Sequence, residues 1–180
     1  MTVANLLLQK RSIILEKWYD LILKTYPADS NNFFKREKDR FANPIGYTFT
    51  QELEKVLGFL LDNVSQSEFK NSLEKIIKIR AVQDFSPSDA VSFIFLLKGV
   101  IRDLFKENSG DISGEIIILE NRIDNLALQA FDLYMECREK IFNIRINEIK
   151  NISNRVLKQA NLLYEGPEEK DANQGLSNHC

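Results

Sequence analysis

The chain has 180 residues and a net charge of −2, a length that suits one domain or one domain carrying an extension. Hydrophobic residues make up 44%, enough for a packed core, and Lys and Arg are dispersed rather than gathered into the basic patch that a nucleic-acid partner would need. Seven glycines and four prolines beside abundant Phe, Leu and Ile point to an all-α class.

The first helix is expected over about residues 3–25, because Leu7, Ile14, Trp18, Leu21, Ile22 and Tyr26 recur at helical spacing. Its early apolar run, Leu6–Leu8, meets Gln9, Lys10 and Arg11 at once, so it is neither a signal peptide nor a membrane span, and the expected location is cytoplasmic. Tyr26-Pro27 ends the helix. Asp29 and Ser30 suit the start of a short helix carrying Phe33 and Phe34. The stretch from Arg40 to Tyr47 reads as an irregular apolar loop, expected to pack down through Phe41, Ile45 and Tyr47. Thr48 or Thr50 is expected to cap the next helix, with Leu53, Val56, Leu57, Leu60 and Leu61 as its buried stripe. After a polar link, Phe69, Leu73, Ile76, Ile77 and Ile79 mark a helix to about Val82. Ser86-Pro87-Ser88-Asp89 is a strong start signal for a helix to about Lys106, apolar around much of its circumference and so expected to be central.

From Gly114 to Gly166 there is no glycine or proline between, and a helix over those fifty or so residues would reach roughly 75 Å. A compact chain of this size has a radius of gyration of only about 16 Å, so the helix is expected either to fold back or to project as an arm and meet a partner. Leu119, Ile123, Leu126, Ala130, Leu133 and Cys137 alternate steps of four and three, the spacing of a coiled-coil seam. The repeat slips around Ile141, Ile144 and Ile149 and resumes at Ile152 and Val156. Two readings stay open: one long arm, or a core helix joined to a short dimer helix by a bend near Asn143–Asn147. The expected seam residues are Leu126, Leu133, Cys137, Ile141, Ile144, Ile152 and Val156, and a homodimer is the simplest way to cover them. The tail from residue 166 to 180 is polar and expected to be flexible.

Catalytic and metal chemistry find little support. The single histidine, His179, lies in the tail, so there is no Ser/His/Asp set, no zinc spacing and no internal proximal histidine for haem; no phosphate-binding glycine loop occurs either. No enzyme activity, cofactor or metal is therefore expected. Cys137 and Cys180 form no CxxC, which fits a reducing compartment. Cys137 reads as a buried seam residue, although Arg138 and Lys140 beside it could lower a thiol pKa. Arg138, Arg145 and Arg155 read as solvated flanks of the seam, and Trp18 and Tyr19 as core. Arg40, Phe41, Asn43, Pro44, Gly46 and Tyr47 are candidates for a ligand or partner contact, against the plainer reading of a loop fixed by hydrogen bonds.

Several strings resemble one family. Asp39-Arg40-Phe41-Ala42-Asn43-Pro44-Ile45-Gly46 resembles the DRFANPxG signature of the N-terminal sensing domain of RsbR/RsbRD-type regulators. Trp18-Tyr19 with Thr25-Tyr26-Pro27, Phe85-Ser86-Pro87 with Ala90 to Lys98, and Tyr134 to Lys140 with Arg145 to Lys150 are similar to further stretches of that family, so the likeness spans about residues 10–160. It implies an all-helical sensor fold, globin-like or a bundle, without haem and dimeric. In stressosome-type members a phosphorylated STAS domain follows, whereas this sequence ends shortly after the arm. The expectation is a stand-alone, non-catalytic signalling module over residues 1–165, with an arm from about residue 115 acting on a separate downstream regulator. The alternative is a structural adaptor that holds a larger complex, such as a redox one, without switching.

Overall fold

The computed structural model describes residues 3–27, 30, 33–34, 39, 41–61, 65–106 and 113–160. Among them are six helices: α1 (Val3–Gln9), α2 (Arg11–Leu23), α3 (Pro44–Leu60), α4 (Gln66–Val82), α5 (Pro87–Phe105) and α6 (Ser113–Gln159). No described helix is long and apolar enough to cross a membrane. The chain divides into two compact units, at Ile141 and Phe142.

In the first unit α2 packs on α3 and α5, α3 on α4, α4 on α5, and α1 on α2. The core runs through all six helices, with Trp18, Phe49, Phe69 and Phe93 among its largest buried side chains. Trp18 is also fastened: its indole Nε1 donates to the Phe93 carbonyl at 2.7 Å, and the two rings stack 6.2 Å apart. That bond removes the cost of burying an indole N–H without an acceptor.

Local chemistry sets the starts of three helices. Ser65 and Ser86 each accept the N–H three residues on, from Glu68 and Asp89. At α5 the Ser86 hydroxyl in turn donates to the Asp89 carboxylate at 2.7 Å, and Pro87 occupies N1, where no N–H is needed. At α3 the cap is Asn43, whose Oδ1 accepts the Gly46 N–H at 2.8 Å. Thr48 and Thr50 are not caps. They lie inside the helix and bond back to the carbonyls of Pro44 and Gly46, because Asn43-Pro44 had already opened it.

The expected first helix is split at Lys10, where φ −99° and ψ 13° break the α geometry although no glycine or proline stands there. The break lets Val3 and Leu7 reach the core, and the Val3 N–H donates to Glu115 at 2.8 Å. Phe33 and Phe34 are helical, while Asp29 lies outside the described residues.

The part of α6 in the first unit lies along α5 in the opposite sense, since Lys98 pairs with Asp124 at 2.6 Å and Arg102 with Glu120 at 2.5 Å. Its stripe of Leu119, Ile123, Leu126, Ala127, Ala130, Leu133, Tyr134 and Cys137 is buried in the chain's own core. Leu126, Leu133 and Cys137, expected in a dimer seam, are thus covered without a second molecule. Periodicity alone does not distinguish a helix that packs on its own domain from one that packs on a copy.

Candidate functional site

The site is the turn between α4 and α5, and it is built from the end of α4. Gln83 caps that helix, Asp84 takes a left-handed φ of 57°, and the N–H groups of Asp84 and Phe85 fold back to the carbonyls of Ala81 and Arg80, both at 3.4 Å. This is a Schellman closure with aspartate where glycine is usual. A left-handed non-glycine residue costs about 1 kcal/mol or more, so neighbours must hold it.

They do so from both sides. On the outer side α6 supplies Tyr134 and Arg138, one turn apart on one face. The Tyr134 hydroxyl donates to the Phe85 carbonyl. Arg138 donates to the Ala81 carbonyl at 3.1 Å and to Asp84 Oδ1 at 2.5 Å, so it grips the strained residue and is not merely a solvated flank. On the inner side the Tyr26 hydroxyl donates to Gln83 Oε1 at 3.0 Å, and the Tyr26 ring meets Phe85 edge-on at 5.2 Å and Phe34 at 5.4 Å. Burial raises the Tyr26 pKa, against the opposing pull of Arg80, so the phenol stays neutral and can donate.

At the centre is Arg80, which is 0% exposed. Its Nη2 donates to the Asp89 carbonyl at 2.9 Å and to Thr25 Oγ1 at 3.3 Å, while Nε and Nη1 have no hydrogen-bond acceptor among the described residues. The guanidinium lies 4.2 Å from the Phe85 ring centroid and 5.5 Å from those of Tyr26 and Phe93, so aromatic faces stand in for the missing oxygens. Burial lowers its pKa, yet an arginine keeps its charge at neutral pH.

The loop candidates join this cluster through one residue. Asn43 is 2% exposed, caps α3 and donates from Nδ2 to the Phe34 carbonyl at 3.3 Å; Phe34 in turn touches Tyr26. Gly46 fits only as glycine, because a Cβ there would stand 2.3 Å from Asn43 Nδ2. Pro44 is N1 of α3. Phe41 and Tyr47 do not pack down as expected. The Asp39 carboxylate accepts the Phe41 and Ala42 N–H groups and turns the chain so that Phe41 is 89% exposed. Arg40 lies outside the described residues.

Cys137 is buried, and burial raises its pKa despite Lys78 and Lys140 nearby. Arg138 is committed to Asp84, so the net environment favours the thiol. Among the described residues no group of three or more His, Cys, Asp and Glu could hold a metal.

The described part of the second unit, residues 142–160, is helical to Gln159, and the helix is unbroken through Asn143–Asn147. Phe142, Ile149, Ile152 and Val156 are exposed, by 63, 64, 59 and 56%. Steps of seven, three and four place them on one face, whereas Asn147, Asn151 and Asn154 lie opposite. Ile144, also exposed, is five residues before Ile149 and so about 140° round the helix, off that face. Ile141 is half-buried at the end of the first unit.

Sequence reasoning missed Arg80, Gln83 and Phe85 as a group. A signal existed for one of them: Arg80 continues the buried stripe Leu73, Ile76, Ile77, where an apolar residue would be expected. The strings that prompted the family resemblance meet here, through Tyr26, Asn43, Phe85, Tyr134 and Arg138. No curated protein and no solved structure matches the chain significantly. The family model of the RsbT co-antagonist protein rsbRD N-terminal domain matches residues 13–149, most of the chain, and the chain therefore belongs to this family of regulatory signalling domains.

Proposed function

We propose that the chain is a non-catalytic, cytoplasmic sensing module that pairs with a second copy through residues 142–156 and acts on a separate regulator. The family's name describes its members as co-antagonists of RsbT, which makes an RsbT-like regulator the natural class of downstream partner. The observation that carries the reading is the grip of Tyr134 and Arg138 on the Asp84–Phe85 turn, a few residues before the exposed apolar face begins. A change in the head that moves Phe85 or Asp84 removes the partners of two α6 side chains at once. The resulting shift of α6 alters how Phe142, Ile149, Ile152 and Val156 meet the same residues of a second copy.

Sedimentation velocity of the full chain against an Ile149→Asp/Ile152→Asp variant tests this. The unaltered chain sediments as a dimer at micromolar concentration and the variant as a monomer, with the same far-UV circular dichroism. Two monomers, or two dimers, refute the seam. A passive adaptor predicts the same dimer but no dependence of its dissociation constant on Tyr134, so Tyr134→Phe separates the two readings.

A further inference from the structure

A helix that packs on its own domain ordinarily turns charged and polar residues to the solvent. The part of α6 in the first unit departs from that pattern. Its core side carries Leu126, Ala130, Leu133 and Cys137, yet Leu128, Phe131 and Met135 stand on another side at 65, 42 and 48% exposure. Steps of three and four residues set these three in one stripe, about 130° round the helix from the buried one. Asp124, one turn before Leu128 on the same stripe, pairs with Lys98 of α5 at 2.6 Å. The Lys98 ammonium in turn lies 5.8 Å from the ring centroid of Phe95, itself 46% exposed. The α5–α6 surface of the head thus presents large apolar side chains bordered by the Lys98–Asp124 pair. Exposed apolar residues scattered singly need no explanation, but a stripe in register does.

We propose that a second copy of this chain covers this surface of the head, with Leu128, Phe131 and Met135 of α6 set parallel against the same residues of the copy. The choice of occupant rests on the pairing proposed above, and the placing of head residues in the interface goes beyond it. Two observations select a copy over a foreign protein. The first is register. Leu128, Met135, Phe142, Ile149 and Val156 are spaced by seven throughout, and Phe131 and Ile152 each fall three residues after a member of that series. In the sequence, the head stripe and the stripe beyond residue 142 are therefore one heptad pattern, an agreement that a foreign partner would not impose. The second is length. Phe142 to Val156 spans about two heptads, whereas a coiled coil is sustained by about three or four, and starting at Leu128 supplies about four. The pattern also places Arg138 and Arg145 at core positions, where charge sets register at a cost in stability. Arg138 donates to Asp84 at 2.5 Å, so the core position after Met135 is tied to the Asp84 turn. A change at that turn therefore acts on the edge of the interface itself.

Sedimentation equilibrium and cysteine cross-linking of the full chain test this. Leu128→Glu/Met135→Glu, both at exposed positions, is expected to weaken the dimer about a hundredfold, with Tm held within about 2 °C. In a Cys180→Ser background, Leu128→Cys should form an intermolecular disulfide on mild oxidation, whereas Gln129→Cys, on another side of the helix, should not. An unchanged dimer constant in Leu128→Glu/Met135→Glu, alongside dissociation by Ile149→Asp/Ile152→Asp, overturns the head interface and leaves the proposed pairing standing; the head surface then belongs to another protein. The opposite pattern supports the head interface and sinks the seam beyond residue 142. A chain that is monomeric at about 0.1 mM, or a Leu128→Cys variant that links no faster than Gln129→Cys, overturns the proposal.

Discussion

Replacing Arg80 with methionine removes a charge from the centre of the head while keeping most of the side-chain volume. The cost of holding the guanidinium there is the desolvation of an ion with 0% exposure, several kcal/mol after relaxation. Against it stand one good charged hydrogen bond, to the Asp89 carbonyl at 2.9 Å, and a longer one to Thr25 at 3.3 Å, together worth about 3–4 kcal/mol. The Phe85 ring, with its centroid at 4.2 Å, adds about 2 kcal/mol as a desolvated cation–π contact, and the more distant rings less. These terms nearly cancel. Methionine leaves no buried group stranded, because the Asp89 carbonyl also accepts from Ser92 Oγ at 2.8 Å and the Thr25 hydroxyl donates to the Ile22 carbonyl at 2.7 Å.

Arg80→Met is therefore expected to unfold within about 1 kcal/mol of the unaltered chain, or above it, a Tm change of no more than about 4 °C downward. Arg80→Ala also empties the space and should lose about 2–5 kcal/mol. Thermal unfolding followed by circular dichroism reads both. If methionine costs as much as alanine, the guanidinium stabilises the head through a partner that the geometry does not reveal, and the balance drawn above is wrong.

Tyr134→Phe leaves the Phe85 carbonyl without its donor and should lower stability by about 1–2 kcal/mol, against less than 0.5 kcal/mol for Tyr47→Phe at the exposed position; urea midpoints compare them. Gly46→Ala should destabilise by about 1 kcal/mol although alanine is the better helix former, because its methyl expels the Asn43 cap; the loss should largely vanish in an Asn43→Ala background. Glu52 is buried, which alone would raise its pKa, but Lys75 at 2.7 Å, with Ser72 and Lys55, hold it below the ordinary value. Its contribution is present above the unfolded pKa of about 4.3 and is lost as pH falls through the lower folded value, so Glu52→Gln should flatten the acid limb of a stability–pH curve below about pH 5. Asp84→Gly relieves the positive φ but gives up Arg138, and these nearly offset in Tm while the dimer dissociation constant changes; an unchanged constant would show that the turn is not coupled to association.

What could be read beforehand was local. Ser86-Pro87 with Asp89 placed α5 because cap, N1 and N3 chemistry are settled within four residues, and the stripe Leu53, Val56, Leu57, Leu60 placed the buried face of α3. The same logic applies to Asn43-Pro44, which is also a cap followed by N1 proline, but Asn-Pro and the nearby Gly46 equally suit irregular backbone, and that ambiguity hides the start of α3. The break at Lys10 carries no local signal, since it serves contacts made by Val3 with a residue 112 positions away. The stripe on α6 is visible in full in the sequence, but its two halves are covered differently, by the chain's own core up to Cys137 and, among the described residues, by nothing at Ile149, Ile152 and Val156. The surroundings of Arg80 carry no such signal, because they come from α5, the Phe85 turn and the Thr25–Tyr26 turn, which no local pattern brings together.

The energies also decide where α6 can move. Five large apolar or aromatic side chains, Leu119, Ile123, Leu126, Leu133 and Tyr134, are buried along its first unit, a gross stabilisation of about 8–15 kcal/mol. No small ligand supplies a differential of that size, so this length of helix stays docked. The grip on the turn is far weaker. The Arg138–Asp84 pair has side chains 35% and 59% exposed and is worth at most about 1 kcal/mol. The Tyr134 bond adds about 1 kcal/mol, and the left-handed Asp84 takes a similar amount back. A bias of 1–2 kcal/mol is within the usual range of coupling free energies, and it is concentrated on the last buried turn of α6. Sensing through this fold thus requires only that the Phe85 turn have two positions close in energy. On the function proposed above, Arg80, whose own terms nearly cancel and whose guanidinium lies against the Phe85 ring, would tie that turn down only weakly.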